Sequence, residues 1–103
     1  MDDLKEYIEK IKPWSTETFG PGPHTKGVIA HIKEECDEVL LEPYDLTEWV
    51  DIIILAIDGY WRHGGKPEDL LKDLHAKADI NIARKWNPVI SKDQPVHHVK
   101  ETT

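Results

Sequence analysis

The chain has 103 residues, with 13 Lys and Arg against 20 Asp and Glu, a formal charge of −7. That length suits a single domain with one core, and the acidic balance excludes the basic face that a duplex nucleic-acid binder needs. The longest apolar run, Ile52 to Ile57, covers six residues, far short of the roughly 20 that span a bilayer, so no membrane partner is expected. Four Trp and 39% hydrophobic residues point to a folded chain. The lone Cys36 leaves no internal disulfide and no CxxC metal site. The acidic start, Met1-Asp2-Asp3-Leu4-Lys5-Glu6, does not read as a signal peptide. A cytoplasmic protein is the expectation.

Leu4, Tyr7, Ile8 and Ile11 recur at helical spacing, which predicts a first helix over residues 2–12, ending before Pro13. Residues 13–24, with Gly20-Pro21-Gly22-Pro23, read as a loop. A second helix is expected over 25–42, with Ile29, Ile32, Cys36, Val39 and Leu40 as its apolar stripe and Cys36 as a small buried residue. A third follows over 45–63. It opens on Asp45 and Glu48, which resemble a capping box, and stops at Gly64-Gly65. A fourth is expected over 67–86, with Pro67 in its first turn and a core stripe of Leu70, Leu71, Leu74, Ala78 and Ile82. Residues 89–103 have no helical period and read as a tail, within which Pro95 to Val99 could be extended. The expected architecture is all-α, a compact bundle of about four helices in a domain over 1–88. The short Pro43-Tyr44 link makes the second and third helices antiparallel neighbours.

The third helix is apolar around most of its circumference, and Glu48, Asp51 and Asp58 share a sector roughly 80° wide. Like charges on the one polar stripe of a buried helix are costly unless a partner compensates them. The second helix offers Glu34, Glu35, Asp37 and Glu38; Glu35 and Glu38 have the same i,i+3 spacing as Glu48 and Asp51. Antiparallel packing lets the two pairs face each other, and such an all-oxygen set suits Mg²⁺ or Mn²⁺ rather than Zn²⁺. The alternative is a set of solvated acidic faces, with Asp58 simply paired to Arg62 at i+4.

The ordered set Glu34-Glu35-x-x-Glu38, then Glu48-x-x-Asp51, resembles the signature of the MazG-like all-α nucleoside triphosphate pyrophosphohydrolases. Phe19-Gly20-Pro21-Gly22, Thr25-Lys26-Gly27, Leu55-Ala56-x-Asp58-Gly59 and Lys77-x-x-x-Asn81-x-x-Arg84-x-Trp86 narrow the likeness to the dATP/dGTP diphosphohydrolase subgroup, common in phages and bacteria. The spacer between Glu38 and Glu48 is nine residues, shorter than in typical MazG proteins. The resemblance implies hydrolysis of a purine deoxynucleoside triphosphate to monophosphate and pyrophosphate with Mg²⁺ or Mn²⁺. It implies Glu35, Glu38, Glu48 and Asp51 as metal ligands, with Glu34 as a weaker candidate for water activation or a second metal contact. It also implies a homo-dimer or homo-tetramer, in host cytoplasm if phage-encoded. A non-catalytic acidic interaction module on the same scaffold is the rival reading.

Cationic groups are needed for the outer phosphates. Lys77, Asn81 and Arg84 repeat at i, i+4, i+7 on one helix edge, as phosphate or sugar contacts or as a solvated face paired to Asp73 or Asp79. Lys26 and Asp58 are further substrate-contact candidates. No Trp is assigned to base stacking, and His31 and His75 read as surface or core-edge residues. The Gly20 to Gly27 stretch lacks the GxxxxGK[ST] order of a P-loop.

Overall fold

The computed structural model describes residues 3–100. Four α-helices follow in order: α1 (Asp3–Phe19), α2 (Thr25–Leu41), α3 (Leu46–Arg62) and α4 (Leu70–Ala83), the last preceded by a 3-10 turn at Pro67–Asp69. No helix is long and apolar enough to cross a membrane among the described residues. Asp2, the expected start of the first helix, and residues 101–103 of the expected tail lie outside the described residues. The chain divides after Leu71 into two units.

In the first unit α2 packs against α3, and α1 packs against α3 and the 3-10 turn. The pairing of α2 and α3 is antiparallel. Thr25 at the start of α2 meets His63 just past the end of α3, Val28 lies against Gly59, and Glu35 meets Glu48 and Asp51. Val28, Ile32, Glu35 and Val39 fall within roughly 60° on the α2 wheel and form the seam. Ile29, Cys36 and Leu40 lie about 40–80° beyond the seam's edge at Ile32, so they remain exposed, and Cys36 is not the buried residue its stripe suggested.

The expected loop over 13–24 is the largest departure: α1 runs through Pro13 to Phe19. An interior proline removes one helical hydrogen bond and costs about 3 kcal/mol. Tertiary contacts offset this beyond the proline. Ser15 is buried and bonded to Asp58 and Arg62 of α3, while within α1 itself Trp14 meets Phe19 edge-on. The core of this unit is small: Ile8, Trp61 and Leu70, flanked by Leu4, Tyr7, Ile57 and Tyr60.

The ends of α3 are defined by local chemistry. Asp45 accepts from the Thr47 N–H and hydroxyl as an N-cap. The Glu48 carboxylate is instead grouped with Glu35 and Asp51, so the box is half formed. At the other end Gly65 N–H donates to Tyr60 O and Gly64 N–H to Trp61 O, the paired bonds of a Schellman stop. Gly64 has φ +102°, which only glycine adopts cheaply.

In the second unit α4 ends at Ala83 rather than near Trp86. The chain then doubles back: Val99 N–H donates to Lys85 O, Asn87 N–H donates to His97 O, and Trp86 bridges His98. Residues 95–99 are thus extended against the segment after α4, which ties the expected tail to its own unit. Of the expected α4 core stripe only Leu70 is buried, because it alone enters the core with Ile8 and Trp61; Leu71, Leu74 and Ile82 are exposed.

A Gly64→Ala substitution should destabilise the protein by about 1–2 kcal/mol, the cost of a Cβ in the left-handed region. Urea unfolding followed by circular dichroism would measure it.

Candidate active site

The polar stripe of α3 faces inward. Glu48, Asp51, Leu55, Asp58 and Arg62 lie on one side of the helix, toward α2 and a cleft of about 440 Å³ between α1, α2 and α3. One carboxylate oxygen each from Glu35, Glu48 and Asp51 lie within 4.8 Å of one another. Of the expected ligands, these three are brought together. Glu38 is outside that group but near enough for its charge to act on Glu48. The Glu48 carboxyl is raised above its ordinary value by desolvation first, then by the charges of Glu38, Asp45, Asp51 and Glu35. Glu34 is exposed on the neighbouring face.

This is an oxygen-only donor set of three carboxylates. Oxygens around Mg²⁺ or Mn²⁺ in octahedral geometry lie about 3–4 Å apart, so small side-chain rotations would close the group on a hard cation. The residues present therefore fit such an ion. His31 also reaches Glu35, Nε2 to Oε1 at 3.4 Å.

Glu35 and Asp51 also line the cleft. Its walls are otherwise mostly apolar, including Ile11, Trp14, Phe19, Val28, Ile54 and Leu55. At the end of the cleft formed by Asp58 and Arg62, Asp58 accepts from Ser15 Oγ at 2.8 Å and from Arg62 Nε at 2.6 Å. Both Asp58 oxygens are thus engaged, and the i+4 pairing with Arg62 weighed from the sequence is present. Tyr7 also lines this cleft; burial, then the charge of Asp58, raises its phenol pKa. Lys26 is exposed on the first turn of α2 and does not line the cleft. Lys77, Asn81 and Arg84 belong to the second unit, where Arg84 Nη1 donates to Asn81 Oδ1 at 3.4 Å.

Sequence reasoning missed Trp14, Phe19, His24 and His31 as cleft residues, and Arg62 as more than a partner of Asp58. Trp14 and Phe19 were hidden by Pro13, which made their segment read as a loop. Arg62 carried a usable signal, as the one cation in α3.

With this geometry in view, the comparisons with known proteins are consistent. The sequence model of the dATP/dGTP pyrophosphohydrolase family matches residues 7–103, and the chain belongs to that family. It is similar to the MazG-like pyrophosphohydrolase of cyanophage S-2L, at 28% identity over 95% of each chain and a TM-score of 0.63. That structure was solved with dGDP and three catalytic Mn²⁺ ions per active site. No curated protein matches the chain. The fold is thus MazG-like and all-α, and the activity is metal-dependent hydrolysis of nucleoside triphosphates by a dATP/dGTP pyrophosphohydrolase. The rival reading as a non-catalytic interaction module gives way to this.

The Glu48 carboxyl holds its proton more tightly in the folded, metal-free protein than an ordinary glutamate does. Its contribution to stability is therefore present below the ordinary value of 4.5 and lost as pH rises through the raised value. A cation on the cluster removes that penalty. The rise in melting temperature on adding Mn²⁺ should then be larger at about pH 7 than at about pH 5, as thermal unfolding at the two pH values would record.

Proposed function

We propose that the purine deoxynucleoside triphosphate lies with its base and sugar in the α1–α2–α3 cleft and its phosphates toward Glu35, Glu48 and Asp51. One observation carries this reading: Glu35 and Asp51 belong both to the carboxylate group and to the cleft wall. Glu35, Glu38, Glu48 and Asp51 would hold Mg²⁺ or Mn²⁺. Cations bound there supply charge neutralisation for the triphosphate and acidify the attacking water.

The chain's own residues do the rest. The apolar walls exclude water around the base, and Trp14 and Phe19 offer aromatic surface to a purine. Glu34, exposed beside Glu35, is the candidate to take the proton of the attacking water at a carboxylate oxygen. Attack at the α-phosphorus breaks the α–β bond and releases monophosphate and pyrophosphate. Lys26, Lys77 and Arg84 are candidate phosphate contacts and Asn81 a phosphate or sugar contact. Asp58, engaged by Ser15 and Arg62, serves the substrate as part of the cleft wall. Cytoplasm, of the host if phage-encoded, is the compartment that goes with this substrate.

We infer further that the working form is a homo-dimer or homo-tetramer. Leu46, Trp49, Val50 and Ile53 recur at i, i+3, i+4, i+7 on α3 and are 46–74% exposed. An apolar stripe of this kind suits burial against a second copy. Ile53→Glu should shift the protein toward monomer in size-exclusion chromatography with light scattering.

Turnover of dATP, dGTP and the other triphosphates with Mg²⁺, Mn²⁺ or EDTA tests the reaction itself. Monophosphate and pyrophosphate are expected, lost in EDTA. Glu48→Gln or Asp51→Asn should lower turnover by about 100-fold or more by removing a ligand, with the helical circular dichroism kept. Orthophosphate as product would overturn the reading.

A further inference from the structure

Gly20 to His24 joins α1 to α2 by an unusual piece of backbone. Gly20 and Gly22 have φ of +93° and +104°, and His24, at the N-cap of α2, is the one non-glycine residue with positive φ among the described residues, at +46°. Pro21 and Pro23 between them have no N–H to give. The turn therefore has few donors of its own to close it. Arg62 supplies them from the last turn of α3: Nη1 donates to Gly20 O and to Gly22 O, both at 2.9 Å. The rest of the guanidinium is fully engaged. Nη2 donates to Ser15 O and Oγ at 3.2 and 2.8 Å, Nε donates to Asp58, and Cζ lies 4.7 Å from the centroid of the Trp61 ring. The Arg62 side chain is 2% exposed.

His24 is a poor choice for folding alone. Its side chain makes no capping bond, where Asn, Asp or Ser would, and its backbone sits where glycine or asparagine is favoured. Yet its ring lines the cleft, as does Arg62. Strained residues that a surrounding network holds in place are characteristic of ligand sites.

We propose that Arg62 is a positioning residue, which sets nucleotide affinity by holding the Gly20–His24 turn, and with it the His24 ring, at the cleft wall. This rests on the reading that the cleft takes the nucleoside. Lysine cannot replace the guanidinium, because one ammonium does not reach Gly20 O, Gly22 O, Ser15 and Asp58 together. The effect falls on KM rather than kcat, since the carboxylate group is built from other residues.

The test is steady-state kinetics on the full chain with dGTP and dATP at saturating Mn²⁺, with thermal unfolding of each variant. Arg62→Lys should raise KM about tenfold or more while kcat changes by less than about threefold. His24→Gly should raise KM several-fold while raising the melting temperature, because glycine relieves the left-handed backbone; this variant also serves if Arg62→Lys does not fold. Ile54→Trp, which narrows the cleft from a partly exposed position on its wall, should raise KM as well. If folded Ile54→Trp leaves KM unchanged, the cleft reading fails and the proposal with it. If Ile54→Trp raises KM but folded Arg62→Lys loses kcat at constant KM, or His24→Gly changes stability without KM, the positioning role alone is overturned.

Discussion

Everything in the first unit depends on placing carboxylates where α2 meets α3. Glu35 lies within the seam, among Val28, Ile32 and Val39, and meets Glu48 and Asp51 across it. The Glu48 carboxyl is raised there, first by desolvation and then by the charges of Glu38, Asp45, Asp51 and Glu35. A fold built for stability alone would put leucines at these positions. Holding them together instead requires fixed ends, and both are present. The Asp45 cap and short link fix one end of the antiparallel pair, and the Thr25–His63 contact fixes the other.

The inward polar stripe also explains why so much apolar surface of α3 is left outside. A helix that turns Glu48, Asp51 and Asp58 toward its neighbours must turn Leu46, Trp49, Val50 and Ile53 away from them. Farther along the same apolar side, Ile57, Tyr60 and Trp61 are covered by α1 and Leu70. The stripe is therefore covered over its second half and open over its first. This is a consequence of geometry: α1 reaches the C-terminal part of α3 through Ser15, Asp58 and Arg62.

Much of this was legible in the sequence, and for identifiable reasons. Helix number, the α2–α3 pairing and the Gly64 stop follow from periodicity and from residues with one strong conformational preference. The grouping of Glu35, Glu48 and Asp51 follows from i,i+3 spacing on helices forced to be antiparallel. What the sequence hid depended on distant contacts. Pro13 has the local signature of a helix end, and it is Ser15 bonding to Asp58 and Arg62, 43 and 47 positions away, that holds α1 beyond it. Missing that moved Trp14 and Phe19 out of a helix and out of view as cleft walls. The α4 stripe misled for the opposite reason: helical spacing reports a face, not whether anything lies against it.

The cleft therefore has two ends of different character. At Arg62, hydrogen bonds to three backbone carbonyls, a hydroxyl and a carboxylate triangulate α1, α3 and the connecting turn, which makes that end stiff. At the other end Glu35, Glu48 and Asp51 gather like charge from two helices instead. The two ends therefore answer to different variables: salt screens the carboxylate end, and reaches the buried Arg62 network far less.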